Sequence, residues 1–340
     1  MCISILSMAL YIAEIVTIVR HKKFYNSFYA LFVMRAIPDW LGVLVSFYGN
    51  RLPSIFGAVL YPIYSQFPNW MLAFGLFLTV HTFLANNLVT AFILLNRLTA
   101  IIMPIKHEKL WRKFRPLITI FVYGVPTLLC WPVLKMDGIL QLDDPNSTTD
   151  PSFAIYEAGD APYIHYSLYI SLVFCAIFSI LCVLINICTF VAYKLHIKKV
   201  ATNGNTVDNL ERKLWIYALA TFLGHLLVAS LFLIPISNLD GPKTKALLFV
   251  YYPLIMDTGT VMLASWLLLW ASDTIRQQLI KDFSIIQKTN IQNNRVGPLE
   301  GPGNNTHRPQ FRTTIATNFI IRTKLRIAVS VFFGNESLTA

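Results

Sequence analysis

Charge is scarce in this chain. Asp, Glu, Lys and Arg make up 13% of its 340 residues, about half the share that a soluble domain carries. Hydrophobic residues make up 55%. Such a chain does not have enough charge to face water over most of its surface. The marks of catalysis are missing too. No glycine-rich phosphate loop, no HExxH and no Cys/His metal spacing occurs, and no carboxylates recur at ligand spacing along one apolar run. No enzyme activity, cofactor or metal is therefore expected. Cysteine is sparse: Cys2, Cys130, Cys175, Cys182 and Cys188, with none between 135 and 164. That stretch is not stapled to anything by a disulfide. Cys2 and Cys130 fall near helix ends on one side, where a bridge is geometrically open. The alternative is that all are free thiols packing as small apolar groups. Paired broken helices in two repeated halves, the mark of many transporters, are also absent.

The chain does have long apolar runs. They cover 2–19, 28–48, 71–101, 114–134, 165–193, 214–239 and 246–270, each near or above the roughly 20 residues that a membrane span requires. The basic residues alternate sides. With Met1 placed outside, the segments 20–27, 97–115, 194–213 and the chain beyond 272 hold 23 of the 28 Lys and Arg. Arg51, Lys135, Lys243 and Lys245 fall outside, and Arg35 lies in a span. Basic residues resist translocation, so this split predicts the N-terminus outside and the C-terminus inside. The first run has no basic residues before it and no small-residue cleavage site, and its positive cluster Arg20–Lys23 follows it. It therefore reads as a retained helix rather than a signal peptide. The fold class expected is an all-α membrane protein, a seven-transmembrane helix bundle of G-protein-coupled-receptor type. The domain covers 1–283, including a short amphipathic helix over 273–283 with Ile275, Leu279 and Phe283 on one face. A polar tail, 284–340, reads as disordered and cytoplasmic. The net charge of +11 sits where the positive-inside pattern puts it, so no nucleic-acid partner is expected.

Polar groups in the spans ask for partners or roles. Thr79, Thr82, Asn86, Thr90 and Arg97 form one stripe on the third helix, which should face the bundle interior. Arg97, beside Asn96 near the inner end, is placed to act as a switch. Glu14 lies in the first span. Arg35 and Asp39 are four apart and can neutralise each other. Asp257 in the seventh span needs a partner, and Asn86, Asn87 or the Arg35–Asp39 pair are the candidates. Together these make an intramembrane polar network, either a structural knot or one that repacks on activation. Pro38, Pro126, Pro235 and Pro253 mark kink sites.

A ligand pocket in the outer half would draw on Trp70, Phe74, His81, His165, Tyr166, Tyr169, Tyr251 and Tyr252. The interfacial aromatic belt competes for Trp70, His165 and Tyr166. That leaves Phe74, His81, Tyr169, Tyr251 and Tyr252, with His81 and Tyr252 foremost. The long outer loop is acidic and carries Asn146-Ser147-Thr148, a glycosylation acceptor at Asn146. Its carboxylates either stay solvated or attract a cationic ligand. The inner loops present Lys106, Lys109, Arg112, Lys113 and Arg115, then Lys194, Lys198, Lys199, Arg212 and Lys213. This basic surface suits anionic lipid and a docking cytosolic partner.

The block Asn96-Arg97, Ile102-Met103-Pro104 and Leu110-Trp111-Arg112-Lys113 resembles that of the nematode serpentine chemoreceptors, specifically the serpentine receptor class gamma group, or a close relative such as class V. Pro38-Asp39, Pro126, Pro253 with Asp257, and Arg276 extend the likeness over about residues 10–280. The resemblance implies a chemosensory receptor in the plasma membrane of sensory neurons, including the cilium, that binds an external small molecule and activates a heterotrimeric G protein. Asn96, Arg97, Pro104 and Trp111 then carry coupling. Asn96-Arg97 stands where rhodopsin-like receptors have an acid followed by Arg, and NPxxY is absent from the seventh helix. The rival readings are a ligand-gated channel or transporter, or a membrane protein that serves trafficking or scaffolding.

Overall fold

The computed structural model describes residues 2–142, 152–158, 166–202, 209–233 and 254–282. These residues fall in two units, one up to Ala271 and one from Ser272. In the first, the main helices are α1 (Cys2–Arg20), α2 (Ser27–Ile55), α3 (Gly57–Tyr64), α4 (Asn69–Ile102), α5 (Pro104–Cys130), α6 (Tyr166–Thr202), α7 (Asn209–Leu233) and α8 (Leu254–Ala271). Apart from the short α3, each overlaps one of the seven apolar runs of the sequence, of which 234–239 and 246–253 lie outside the described residues. By length and composition, α2, α4, α6, α8 and α5 with its following turn can each cross a membrane. The apolar stretch Trp215–Val228 of α7 is shorter.

Local chemistry sets the helix starts. The Asn26 side chain accepts from the Tyr29 N–H at 3.0 Å and caps α2. Pro104 opens α5 at the position where its missing N–H costs nothing. Two π-turns interrupt the long helices, Phe47–Arg51 in α2 and Thr258–Met262 in α8. Such turns recur at functional sites.

α4 is the central post. Of its most apolar window 72% is buried, against 22% for α6 and 28% for α5 with its following turn. Its polar stripe faces inward: Thr82, Asn86, Thr90 and Arg97 are all buried, and Thr79 is half-buried. α7 and α8 cross at a glycine pair. A Cβ on Gly259 would lie 2.5 Å from Val228 Cγ2 and 2.8 Å from the Gly224 carbonyl oxygen. Only two bare backbones approach that closely, the small-residue packing that membrane helices use in place of a hydrophobic driving force.

Two elements lie outside the seven expected runs. α3 is one. The other is an antiparallel hairpin, β1 (Gly138–Leu142) with β2 (Phe153–Glu157), in register Gly138↔Glu157 to Leu142↔Phe153. The hairpin is moored at three points. Asn69 at the start of α4 binds the Asp137 carboxylate and accepts from Gly138 N at 2.7 Å. Glu157 accepts from the Ser167 N–H at 3.2 Å and its hydroxyl at 2.6 Å, at the start of α6. Phe153, fully buried, meets the rings of Tyr61 and Tyr64 edge-on at 5.5 and 5.2 Å. Asp137 and Glu157 are thus tied into the fold. The remaining acidic residues of that loop, and Asn146, lie outside the described residues.

In the second unit a helix covers 273–282 (α9). Its first turn is closed by the Ser272 hydroxyl, which accepts from Ile275 N at 3.3 Å, and by an Arg276–Asp273 ion pair.

Candidate functional site

Asn96 at the end of α4 and Trp111 on α5 meet in one knot. Asn96 is fully buried, and its Nδ2 donates to Ser27 Oγ at 3.0 Å and meets His107 Nε2 at 3.0 Å. One turn later Thr99 Oγ1 accepts from the Trp111 indole N–H at 2.8 Å. The Ser27 backbone N–H, a free donor at the start of α2, donates to Glu108 Oε2 at 3.1 Å. Asn96 and Trp111 thereby join the start of α2, the end of α4 and the start of α5. Pro104 sets the turn between the last two and is exposed. Around the knot Lys106, Lys109, Arg112, Lys113 and Arg115 are exposed, so polar joints lie beneath a basic surface.

Arg97 is buried, with its guanidinium 3.9 Å above the centre of the Phe28 ring. Phe28 in turn meets Tyr217 of α7 edge-to-face at 5.6 Å. Arg97 therefore contacts α7 through an aromatic relay, with no acid beside it in sequence. Ser27, Phe28, His107, Glu108 and Tyr217 were not foreseen. Only Glu108 carried a sequence signal, as an i,i+4 partner of Arg112. That contact is loose, at 3.9 Å, and Glu108 turns its other oxygen to Ser27.

Further into the bundle, Arg35 Nε lies 3.3 Å from Asp39 Oδ2, both side chains fully buried. Tyr11 of α1 donates to the same oxygen at 2.9 Å, and Asn86 faces the same carboxylate. Tyr217 lies within electrostatic reach of Arg35, Asp39, Glu14 and Arg97. Glu14 is fully buried, and neither of its oxygens has a hydrogen-bond partner among the described residues.

Asp257 requires a correction. It joins none of the partners considered from sequence and pairs instead with Arg51 of α2 through both guanidinium nitrogens, one contact at 3.1 Å. Arg51 also donates to Ser46 Oγ at 3.2 Å and lies 4.6 Å above the Phe47 ring. Arg51 ends one π-turn and Asp257 immediately precedes the other, so the extra residue in each helix aims its charge at the opposite helix. Arg51 was read as an outer-loop cation because an apolar run shows where a helix is greasy, not where its last turn folds back under cover.

The expected ligand-pocket aromatics are corrected as well. Phe74 is 46% exposed and Tyr169 68% exposed. Both turn out of the bundle, where lipid accepts an aromatic ring at no cost. His81 turns toward α5, with Nε2 3.3 Å from the Tyr123 carbonyl and 3.2 Å from Thr127 Oγ1. Tyr251 and Tyr252, and the kink candidates Pro235 and Pro253, lie outside the described residues. Asn87 separates from Asn86 and lines a cavity with residues of α6 and α7. Cys130 is a buried free thiol, so the Cys2–Cys130 bridge is not made, and Cys175, Cys182 and Cys188 are free as well. Among the described residues no group of three or more His, Cys, Asp and Glu is placed to hold a metal.

Comparison with known proteins places the chain. Serpentine receptor class gamma-5 of Caenorhabditis elegans is 23% identical over 119 residues, 34% of this chain and 37% of that protein. Serpentine receptor class gamma-9 of the same organism is 26% identical over 126 residues, 36% of this chain and 38% of that protein. The chain thus covers well under half the length of these two relatives. The profile of the Srg family chemoreceptors matches residues 1–279. Matched over that length, this multi-pass helical chain belongs to the Srg family of chemoreceptors.

Proposed function

We propose that this protein is a chemosensory G-protein-coupled receptor of the plasma membrane, including the sensory-neuron cilium. Its N-terminus lies outside and its C-terminus inside, following the basic-residue split. An external small molecule binds within the bundle, and a heterotrimeric G protein docks on the basic surface around the knot. In this orientation α9 lies on the inner leaflet, and the chain beyond 283 is a cytoplasmic tail. Asn146 faces outside, where it takes a glycan.

The observation that carries this reading is the relay from Arg97 through Phe28 to Tyr217. Buried cations in membrane bundles mark switches and pathways. Here the cation is held by an aromatic ring that also touches α7, so a shift of α7 alters what Arg97 faces. Ligand binding favours the state in which α7 and α8 repack and Arg97 becomes available to the G protein, a population shift between two arrangements. Asn96, Pro104 and Trp111 position the second inner loop for that contact.

The test is guanine-nucleotide exchange on a Gα panel, in membranes carrying wild type or Arg97→Ala, with and without a pooled extract of small-molecule metabolites. Exchange that rises with extract and collapses in Arg97→Ala supports the reading. Extract-evoked exchange that survives Arg97→Ala removes Arg97 from the switch. No exchange from correctly delivered receptor refutes coupling to that panel.

A further inference from the structure

A small cavity lies between α4, α6 and α7, bounded by Asn87 and Thr90 on α4, Phe178 and Ser179 on α6, and Phe222 and His225 on α7, among others. Its free space admits about one water-sized group. Three of the lining side chains share a second property. Asn87 Nδ2, Thr90 Oγ1 and His225 Nε2 have no hydrogen-bond partner among the described residues. All three residues are more than nine-tenths buried, at 7%, 2% and 4% exposure. Buried polar atoms in native proteins are paired with very few exceptions. Three that line one cavity, contributed by two helices, point to a missing common partner. Ser179 does not share the need, since its hydroxyl already meets Cys175 Sγ at 3.7 Å.

The chemistry of the lining narrows the partner. Asn87 Nδ2 donates only, Thr90 Oγ1 donates or accepts, and the His225 ring nitrogen does either according to tautomer. A hydroxyl or water oxygen satisfies all three by accepting from two groups and donating to the third, and a carbonyl oxygen accepts from two of them. No carboxylate, Lys or Arg lines the cavity, so nothing there repays the desolvation of an ion. The cavity holds that oxygen alone, so an apolar body attached to it extends past the rings of Phe178 and Phe222.

We infer that the cavity bounded by Asn87, Thr90 and His225 is a seat for one neutral hydrogen-bonding oxygen, the hydroxyl or carbonyl tip of an otherwise apolar ligand or a water holding its place. This rests on the chemoreceptor reading for its biological sense and names the ligand class: a neutral alcohol, ketone or aldehyde rather than an organic acid or amine. The seat lies at the polar stripe of α4, so an occupant touches α4, α6 and α7 at once.

The test uses binding rather than signalling, so that it stands or falls apart from G-protein exchange. Full-length receptor is purified into phosphatidylcholine nanodiscs and melted with octanol, octanone or octane, as wild type, Thr90→Val and His225→Phe. Thr90→Val keeps the shape and removes the hydroxyl. Octanol and octanone are expected to raise the wild-type midpoint and octane to leave it unmoved. Each variant is expected to raise the half-saturating alcohol concentration about tenfold, the loss of one hydrogen bond. A variant midpoint below wild type together with no alcohol response identifies the oxygen as a bound water. Variants as stable as wild type or more so, with one alcohol response shared by all three proteins, overturn the inference, because apolar replacement of an empty polar site is neutral or stabilising.

Discussion

Arg51 and Asp257 offer the sharpest test of the packing. They are 206 residues apart, both about 95% buried, and joined through two guanidinium nitrogens. Removing one partner leaves the other charge stranded in a site built for a pair. Breaking a buried pair in this way costs about 3–5 kcal/mol. Replacing both with apolar groups of similar volume removes the charges together and is neutral or stabilising. Arg51→Met and Asp257→Leu are therefore each expected to lower the unfolding free energy by that amount, and Arg51→Met/Asp257→Leu to recover most of it. Arg51→Lys is expected to lie between, because an ammonium cannot hold Asp257 with two nitrogens while also reaching Ser46 and the Phe47 ring. The assay is equilibrium unfolding of purified receptor in mixed detergent micelles, followed by tryptophan fluorescence. Additive single-mutant losses in the double variant would refute the argument, because independence means that the two groups do not share one site. Equal stability of all variants would refute it as firmly.

Three other outcomes follow from the geometry. Glu14→Met is expected to raise the unfolding free energy by about 1–3 kcal/mol, since it removes a buried carboxyl with no hydrogen-bond partner among the described residues; a loss of stability in the same unfolding assay would mean that Glu14 is held by something else. Gly259→Val should abolish delivery of folded receptor to the cell surface, because its Cβ would fall 2.5 Å from Val228 Cγ2 and 2.8 Å from a backbone oxygen, and normal surface labelling would show that α7 and α8 do not cross there. Asn146→Gln should remove the glycosidase-sensitive band on a gel of receptor from eukaryotic cells, whereas an unchanged mobility pattern would put that loop on the inner side or leave the acceptor unused.

What could be read in advance divides by distance along the chain. The seven helices were legible because each needs only a local apolar run, and Arg35–Asp39 was legible because four residues bring two side chains to one helix face. The inward turn of the α4 stripe followed from what lipid rejects. Arg51–Asp257 was not legible, because two π-turns and the packing of α2 on α8 decide it. The pocket aromatics failed for a related reason. In water an apolar side chain points to the core, but in a bilayer both core and surroundings are apolar, so Phe74 and Tyr169 carry no label for inside or outside. The hairpin and α3 were missed because short apolar segments such as GILQL, FAIYE and GAVLYPIY give no clear period. Asn96, Arg97 and Trp111 were singled out by the family resemblance, while the partners of Asn96 and Arg97 on α2 and α7 emerge only when the helices are assembled.

The mooring of the β1–β2 hairpin has a further consequence. Its ties to α4 and α6 are hydrogen bonds at Asn69 and Glu157, with ring contacts at Phe153, and no cysteine occurs anywhere between 135 and 164. A cap fastened covalently records the oxidation state of its surroundings and opens only by bond chemistry. This one is held by a few polar contacts and the buried Phe153 ring, none of which depends on oxidation state. Because the same strap holds the starts of α4 and α6, anything that lifts it loosens both helices together. Hydrogen exchange at Gly138 and Ser167 should therefore rise in concert in Asn69→Ala, and dithiothreitol should leave both unchanged.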